Sequence, residues 1–237
     1  MSATGGVHPG QSLARIELFW DCEEEDRKRV EARCRWRKYQ PQDLVIDAGA
    51  DTHEVHFIVS GRVRVMNHAA SGREVSFEDI EAGGLVGEFA AIDGGERSAS
   101  VIAVEPTVTA ALDARNFLNV MSDHPDVGLA MMKHLTHMVR QASGRIMELS
   151  TLGAHNRVHA ELLRLARKAG GEDAAQARIY PIPVHADLAA RVATTRETVA
   201  RVLSDLTKRG IVQRDGNALA IPDIAALESL VTRVLGD

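Results

Sequence analysis

His185-Ala-Asp-Leu-Ala-Ala-Arg-Val-Ala-Thr-Thr-Arg-Glu-Thr-Val-Ala-Arg-Val-Leu-Ser-Asp-Leu-Thr-Lys-Arg209 reads as two short helices around a tight turn. Leu188, Ala189 and Val192 give the first helix an inner face, and Val199, Val202, Leu203 and Leu206 give the second one. Thr195 stands where an N-cap is needed, its hydroxyl able to satisfy a free amide of the first turn. Ile211 to Arg214, Asp215-Gly-Asn217 and Ala218 to Ile221 then spell a hairpin with a type I′ turn signal, and a closing helix follows Pro222. Helix, turn, helix and hairpin is the order of a winged helix-turn-helix. In that module Arg196, Glu197 and Arg201 project from the start of the second helix, where base edges are read. Arginine can hold guanine bidentately and glutamate can accept from the cytosine amino group. A solvated charged face is the plainer alternative, and the place of these residues inside a complete module weighs against it.

Upstream, a helix is expected over Asn156 to Ala169, closed by Gly170-Gly171 and followed by a polar loop from Glu172 to Ala177 and an extended piece from Ile179 to Pro183. Before it, a helix of about 25 residues starts at Pro125, a residue favoured in the first turn. Its Met132, Leu135, Val139, Ala142, Ile146 and Leu149 recur at alternating spacings of 3 and 4. So narrow an apolar strip favours a coiled-coil dimer over packing within one domain, which usually takes a wider face.

Between Trp36 and Asp113 the periodicity changes to short β-branched runs: Asp43–Asp47, Val55–Val59, Arg62–Met66, Arg73–Phe77, Ser98–Ile102 and Thr107–Ala111. Glycines at 61, 72, 83, 84, 87, 94 and 95 fall between them, as an antiparallel sandwich or barrel requires. Glu23 to Arg33 reads as a charged helix after a polar N-terminal tail. The expected organisation is α+β: a tail over 1–24, a jelly-roll-like β-roll over 25–123, a dimerisation helix over 124–152 and a winged helix-turn-helix over 153–237.

Net charge is −5, divided unevenly. Residues 155–237 carry 12 basic against 10 acidic side chains, and residues 1–154 carry 16 against 23. An acidic sensor followed by a mildly basic reader is compatible with that division. The two cysteines, Cys22 and Cys34, suffice for neither a disulfide framework nor a zinc site, and a cytoplasmic setting without membrane contact is expected.

The second informative stretch is Leu85-Val-Gly-Glu-Phe-Ala-Ala91 with Glu96-Arg-Ser-Ala-Ser100. A glycine turn leading into a helical turn offers free amides to a phosphate. Glu88 can accept from a ribose hydroxyl, Arg97 can pair with anionic oxygens, and Ser98 can add a hydroxyl or amide. A β-turn with a local Glu88–Arg97 salt bridge is the alternative.

The helix Ala193–Ile211, with Arg196, Glu197 and Arg201, resembles the recognition helix of the Crp/Fnr superfamily of bacterial regulators, the cyclic-AMP receptor protein family. The Gly87-Glu88 and Arg97-Ser98-Ala99 fragments resemble that family's phosphate-binding cassette. The resemblance implies a homodimeric transcriptional activator that binds a TGTGA-like DNA palindrome and works with RNA polymerase. It implies ligand contacts from Val86, Gly87, Glu88, Phe89, Ala90, Arg97, Ser98, Ala99, Ala142 and Ser143. It implies DNA contacts from His185, Thr195, Arg196, Glu197, Thr198 and Arg201. Ala142 stands where the family usually has threonine beside the serine that meets the purine. Cyclic AMP is the first expectation, and cyclic GMP or dual recognition is the second. A regulator of this type that binds DNA without a ligand is a further alternative.

Four thiolates for an iron–sulfur cluster are lacking. His53 and His56 lie on opposite faces of a strand as isolated surface histidines, and His134, His137 and His155 are unremarkable helix residues, so neither haem nor a catalytic metal is expected. No nucleophile–base motif or Walker loop points to an enzyme. The reader set argues against a nucleotide-binding regulatory subunit that leaves DNA alone.

Overall fold

The computed structural model describes residues 12–68, 74–171 and 173–235. The chain forms two compact units, Met1–Met138 and Val139–Asp237. In the first unit a single 3-10 turn, Glu17–Phe19, precedes α1 (Glu24–Glu31), β1 (Arg35–Tyr39), β2 (Leu44–Ile46), β3 (Val55–Ser60), β4 (Arg62–His68), β5 (Glu74–Glu81) and β6 (Leu85–Val86). α2 (Glu88–Asp93), β7 (Ser100–Ala103), β8 (Thr107–Leu112), α3 (Ala114–Asp123) and α4 (Pro125–Thr151) follow.

The strands make two four-stranded antiparallel sheets, ordered β1-β8-β3-β6 and β2-β7-β4-β5. Ile46, Val63 and Val101 of one sheet and Ile58 and Val86 of the other share one buried cluster, so the sheets close on each other as a β-roll. A second cluster joins Phe57, Ala110 and Leu112 to Phe117 and Val120 of α3 and to Val127 and Met131 of α4. The β-roll and the long helix agree with the sequence expectation.

Several expectations change. Leu13, Ile16, Leu18 and Phe19 are buried in this core, and Phe19 meets Phe57 edge-on at 5.2 Å, so the end of the supposed polar tail is part of the domain. α3 was not anticipated; Asp113 caps it, its Oδ1 accepting from the Asn116 amide at 2.9 Å. His56 is buried rather than a surface residue, its Nδ1 3.3 Å from the Thr109 hydroxyl. Burial, with Arg37, Arg97 and Arg35 adding to it, drives its pKa down to about 3. Gly72 and Arg73, read as a turn and a strand start, and Glu172, read as the start of a loop, lie outside the described residues.

The second unit contains the rest of α4, α5 (Ala154–Gly170), β9 (Ala177–Ile179), α6 (His185–Arg191), α7 (Arg196–Lys208), β10 (Gln213–Asp215), β11 (Ala218–Ile221) and α8 (Ile224–Leu235). β10-β11-β9 is a three-stranded antiparallel sheet whose third strand, Ala177–Ile179, shares only Ile179 with the expected extended piece Ile179–Pro183 and takes in the end of the expected loop. Asp215 pairs with Ala218 across Gly216-Asn217, and only Gly216 has a positive φ (59°). That is the II′ pattern rather than the expected I′, because one glycine at the first corner is enough to match the strand twist.

Candidate functional site

Gly87 ends β6 at φ 89° and opens α2. A Cβ there would meet Arg97 Nη1 at 2.6 Å and the Glu54 carbonyl at 2.8 Å, so only glycine allows the close approach. Arg97 is 5% exposed and fills the space that approach leaves. Its Nε donates to the Thr52 hydroxyl at 2.9 Å, its Nη1 to the Gly87 carbonyl at 2.9 Å and its Nη2 to the Glu54 carbonyl at 2.8 Å. A guanidinium has five N–H groups, so one on each terminal nitrogen is left for an anion.

Glu88 is buried beside it and, among the described residues, the Glu88–Arg97 salt bridge considered from the sequence is not formed, although the Arg97 charge still acts on the carboxylate. Burial raises its pKa, opposed by a hydrogen bond from its own amide and by the charge of Arg97.

These residues open onto a cavity of about 120 Å³. Val86, Gly87, Glu88, Phe89, Ala90, Arg97, Ser98 and Ala99 all line it, eight of the ten residues named from the sequence. Ile46, Val65, Ile80 and Val101 supply an apolar wall from the β2-β7-β4-β5 sheet. α4 contributes His134 and Met138. Ala142 and Ser143 are exposed further along α4, and the Ser143 hydroxyl donates back to the Val139 carbonyl at 2.9 Å. The apolar strip of α4 is also open, with Met132, Val139, Ile146 and Leu149 exposed.

Two further polar residues line the wall: Glu78, which the sequence did not single out, and His134, which reads in the sequence as an unremarkable helix residue. β5 pairs Glu78 with Val65, which puts both on the cavity side of the sheet, together with Ile80 two residues on. His134 lies one turn before Met138 on the same helix face. It is half-buried, and burial lowers its pKa while Glu78 and Glu17 oppose the shift and His137 adds to it. A scan for the face shared with Ala142, at steps of four, would have reached both helix residues.

In the second unit Val199, Val202 and Leu206 bury one side of α7. Thr195 caps it as expected, Oγ1 accepting from the Thr198 amide at 3.3 Å, with the Thr198 hydroxyl 3.2 Å away. Arg196, Glu197 and Arg201 are exposed on the other side, and His185 starts α6 half-buried. The Glu197 carboxyl is held below its usual range, by a hydrogen bond from its own amide and then by the Thr195 side chain.

The turn between α6 and α7 is tied down by an arginine the sequence reading passed over. Arg157 of α5 donates to the carbonyls of Val192 at 2.8 Å, Leu152 at 2.8 Å and Ala193 at 3.2 Å, where Ala193 sits at φ 50°. The Arg145 guanidinium donates to the neighbouring Arg191 carbonyl.

A cyclic nucleotide-binding domain model matches residues 36–124, and a Crp-like helix-turn-helix domain model matches residues 156–230. The chain is 33% identical over 195 residues to a cyclic AMP receptor protein of Thermus thermophilus, covering 82% of this chain and 87% of that one. It is 24% identical over 192 residues to a CRP-like cAMP-activated global transcriptional regulator of Mycobacterium tuberculosis, covering 79% and 86%. Among solved structures, a CooA mutant from Carboxydothermus hydrogenoformans superposes with a TM-score of 0.79 at 24% identity, covering 91% of this chain and 95% of that one, a likeness of fold.

Proposed function

Because the chain belongs to the Crp/Fnr family of transcriptional regulators, we propose that it is a homodimeric regulator whose hold on a TGTGA-like DNA palindrome is controlled by a cyclic nucleotide. The observation that carries this reading is the cavity where Gly87, Glu88, Arg97 and Ser98 meet apolar walls and α4. A glycine turn and a buried guanidinium with two N–H groups left over suit an anionic phosphate. Val65, Ile80 and Met138 suit the faces of a purine. The names of the curated relatives bring cyclic AMP first and leave the base to be decided by the residues of this cavity.

The strip of Met132, Val139, Ile146 and Leu149 is the dimer seam of this proposal, since an apolar stripe of that length is costly to leave in water. Ala142 and Ser143 would complete the ligand contacts from that helix. Arg196, Glu197 and Arg201 would read base edges, while His185, Thr195 and Thr198 hold phosphates. Two readers spaced by the dimer would then fit successive major grooves, with the hinge near residues 151–156. Activation through RNA polymerase is the outcome the family resemblance supports. No helix among the described residues is long and apolar enough to cross a membrane.

Ligand can control DNA binding only through a difference in affinity between the two states, so nucleotide and DNA must strengthen each other equally. Isothermal titration of the purified protein with cyclic AMP and cyclic GMP, each with and without the palindrome, tests this. Binding of a nucleotide that tightens in the presence of DNA is expected. Unaided DNA binding with no heat from either nucleotide would overturn the sensor half and leave a ligand-independent regulator.

A further inference from the structure

Polar groups at the two sides of the cavity are in different states. Arg97 engages three protein acceptors, and Glu88 is held by its own amide. Glu78 and His134 are half-buried, line the same cavity, and make no hydrogen bond or ion pair among the described residues. The two feel each other's charge and keep their hydrogen-bonding atoms free, so on the cavity wall they offer an acceptor and a donor to a ligand. The walls beside them are Val65, Ile80 and Met138, which can flank a flat ring but cannot tell one purine from another.

We propose that Glu78 and His134 read the edge of the nucleobase and that the preferred effector is a cyclic guanine nucleotide. This rests on the reading of the cavity as a cyclic-nucleotide site. Guanine presents two adjacent donors, N1–H and the 2-amino group, beside the O6 acceptor. A carboxylate can accept from both donors at once, as it does from the parallel N–H groups of an arginine. A neutral imidazole has one N–H to give to O6, and burial of His134 favours that neutral form. Adenine offers its 6-amino donor next to the N1 lone pair, so Glu78 gains one hydrogen bond from it where guanine gives two. The difference is one charge-assisted hydrogen bond, worth roughly 10- to 100-fold in affinity.

The test is titration of the full-length protein with cyclic AMP, cyclic GMP and cyclic inosine monophosphate, which lacks only the 2-amino group of cyclic GMP. Wild type should bind cyclic GMP roughly 10- to 100-fold more tightly than cyclic AMP, and cyclic inosine monophosphate should lose about tenfold against cyclic GMP. Glu78→Gln keeps the shape, so it should still bind the ring and phosphate while the preference for the 2-amino group disappears. The inosine comparison in wild type needs no variant, so a poorly folded Glu78→Gln protein would not block the test. Cyclic AMP binding as tightly as cyclic GMP, or an inosine penalty that persists in Glu78→Gln, would overturn the base assignment while the sensor reading stands. Binding of none of the three would overturn both.

Discussion

The cavity beside Arg97 and the second helix of the helix-turn-helix are built by opposite means. The cavity collects residues from 46 to 138, out of five strands, a short helix and a long one, and its central cation gives three of its five N–H groups to the protein itself. The reader is a single 13-residue helix with one buried and one open side, and its Arg196, Glu197 and Arg201 stand in solvent. A side chain that holds its own fold together cannot be changed without cost to the scaffold, whereas one presented to solvent can be. Substitutions in the sensor should therefore move stability and ligand binding together, and substitutions in the reader should separate them.

Arg97→Ala gives the largest expected effect. It removes three hydrogen bonds from a charged donor and leaves the Gly87 and Glu54 carbonyls without their partner. Leaving such groups unpaired costs about 1–3 kcal/mol each, so the first unit should lose roughly 2–6 kcal/mol with no ligand present. The response to nucleotide should vanish as well. Urea unfolding followed by Trp36, whose strand β1 pairs with β8, reads the first effect, and titration calorimetry reads the second. An Arg97→Ala protein as stable as its parent would break the comparison, because the guanidinium would then belong to the ligand and not to the fold.

The same contrast decides what could be read from the sequence. The second helix of the helix-turn-helix was legible because its pattern is local: the apolar spacing of Val199, Val202 and Leu206, the cap at Thr195 and the exposed charges all lie in or beside one helix. The cassette fragments were legible for the same reason, as consecutive residues around Gly87 and Arg97. What lay across strands was not. The carbonyls of Glu54 and Gly87 as acceptors for Arg97, the pairing of Glu78 with Val65 and the burial of His56 depend on register between segments far apart in the chain, and spacing along one segment carries no trace of it. Leu13, Ile16, Leu18 and Phe19 were read as part of a tail because their apolar run is too short to show a period. Arg157 carries no sequence signal for its role, since two of its three carbonyl partners, Val192 and Ala193, lie 35 and 36 residues away.

Arg196→Ala should have the converse profile of Arg97→Ala. The side chain is exposed, so stability should stay within about 0.5 kcal/mol of the parent. Affinity for the palindrome should fall by about 1–3 kcal/mol, with discrimination relaxed at one base position and nucleotide binding in the absence of DNA unchanged. Fluorescence anisotropy against a set of single-base variants of the site separates these outcomes. Uniform weakening across all sequences would make Arg196 a phosphate contact and would shift the reading role to Arg201 and Glu197.

Thr195→Ala is the smallest expected effect and the sharpest test, because Thr195 belongs to both sides of the comparison: it sits next to the exposed reader yet supports the fold. Its hydroxyl accepts from the Thr198 amide, one of the donors at the start of α7 that have no partner inside the helix. Losing such a cap typically costs about 1 kcal/mol. Two compact units need not unfold together, so a global melt would dilute the effect, and local amide exchange in the full-length protein is the better probe. The Thr198 amide should exchange about fivefold faster in Thr195→Ala, which corresponds to about 1 kcal/mol. Thr195→Ser keeps the hydroxyl and should restore the parent rate. Exchange at Leu206, two to three turns further on, should change far less if opening is confined to the first turn. Equal acceleration at both positions would mean that the cap holds the whole helix, and the reader would then be as dependent on a single internal bond as the sensor is on Arg97.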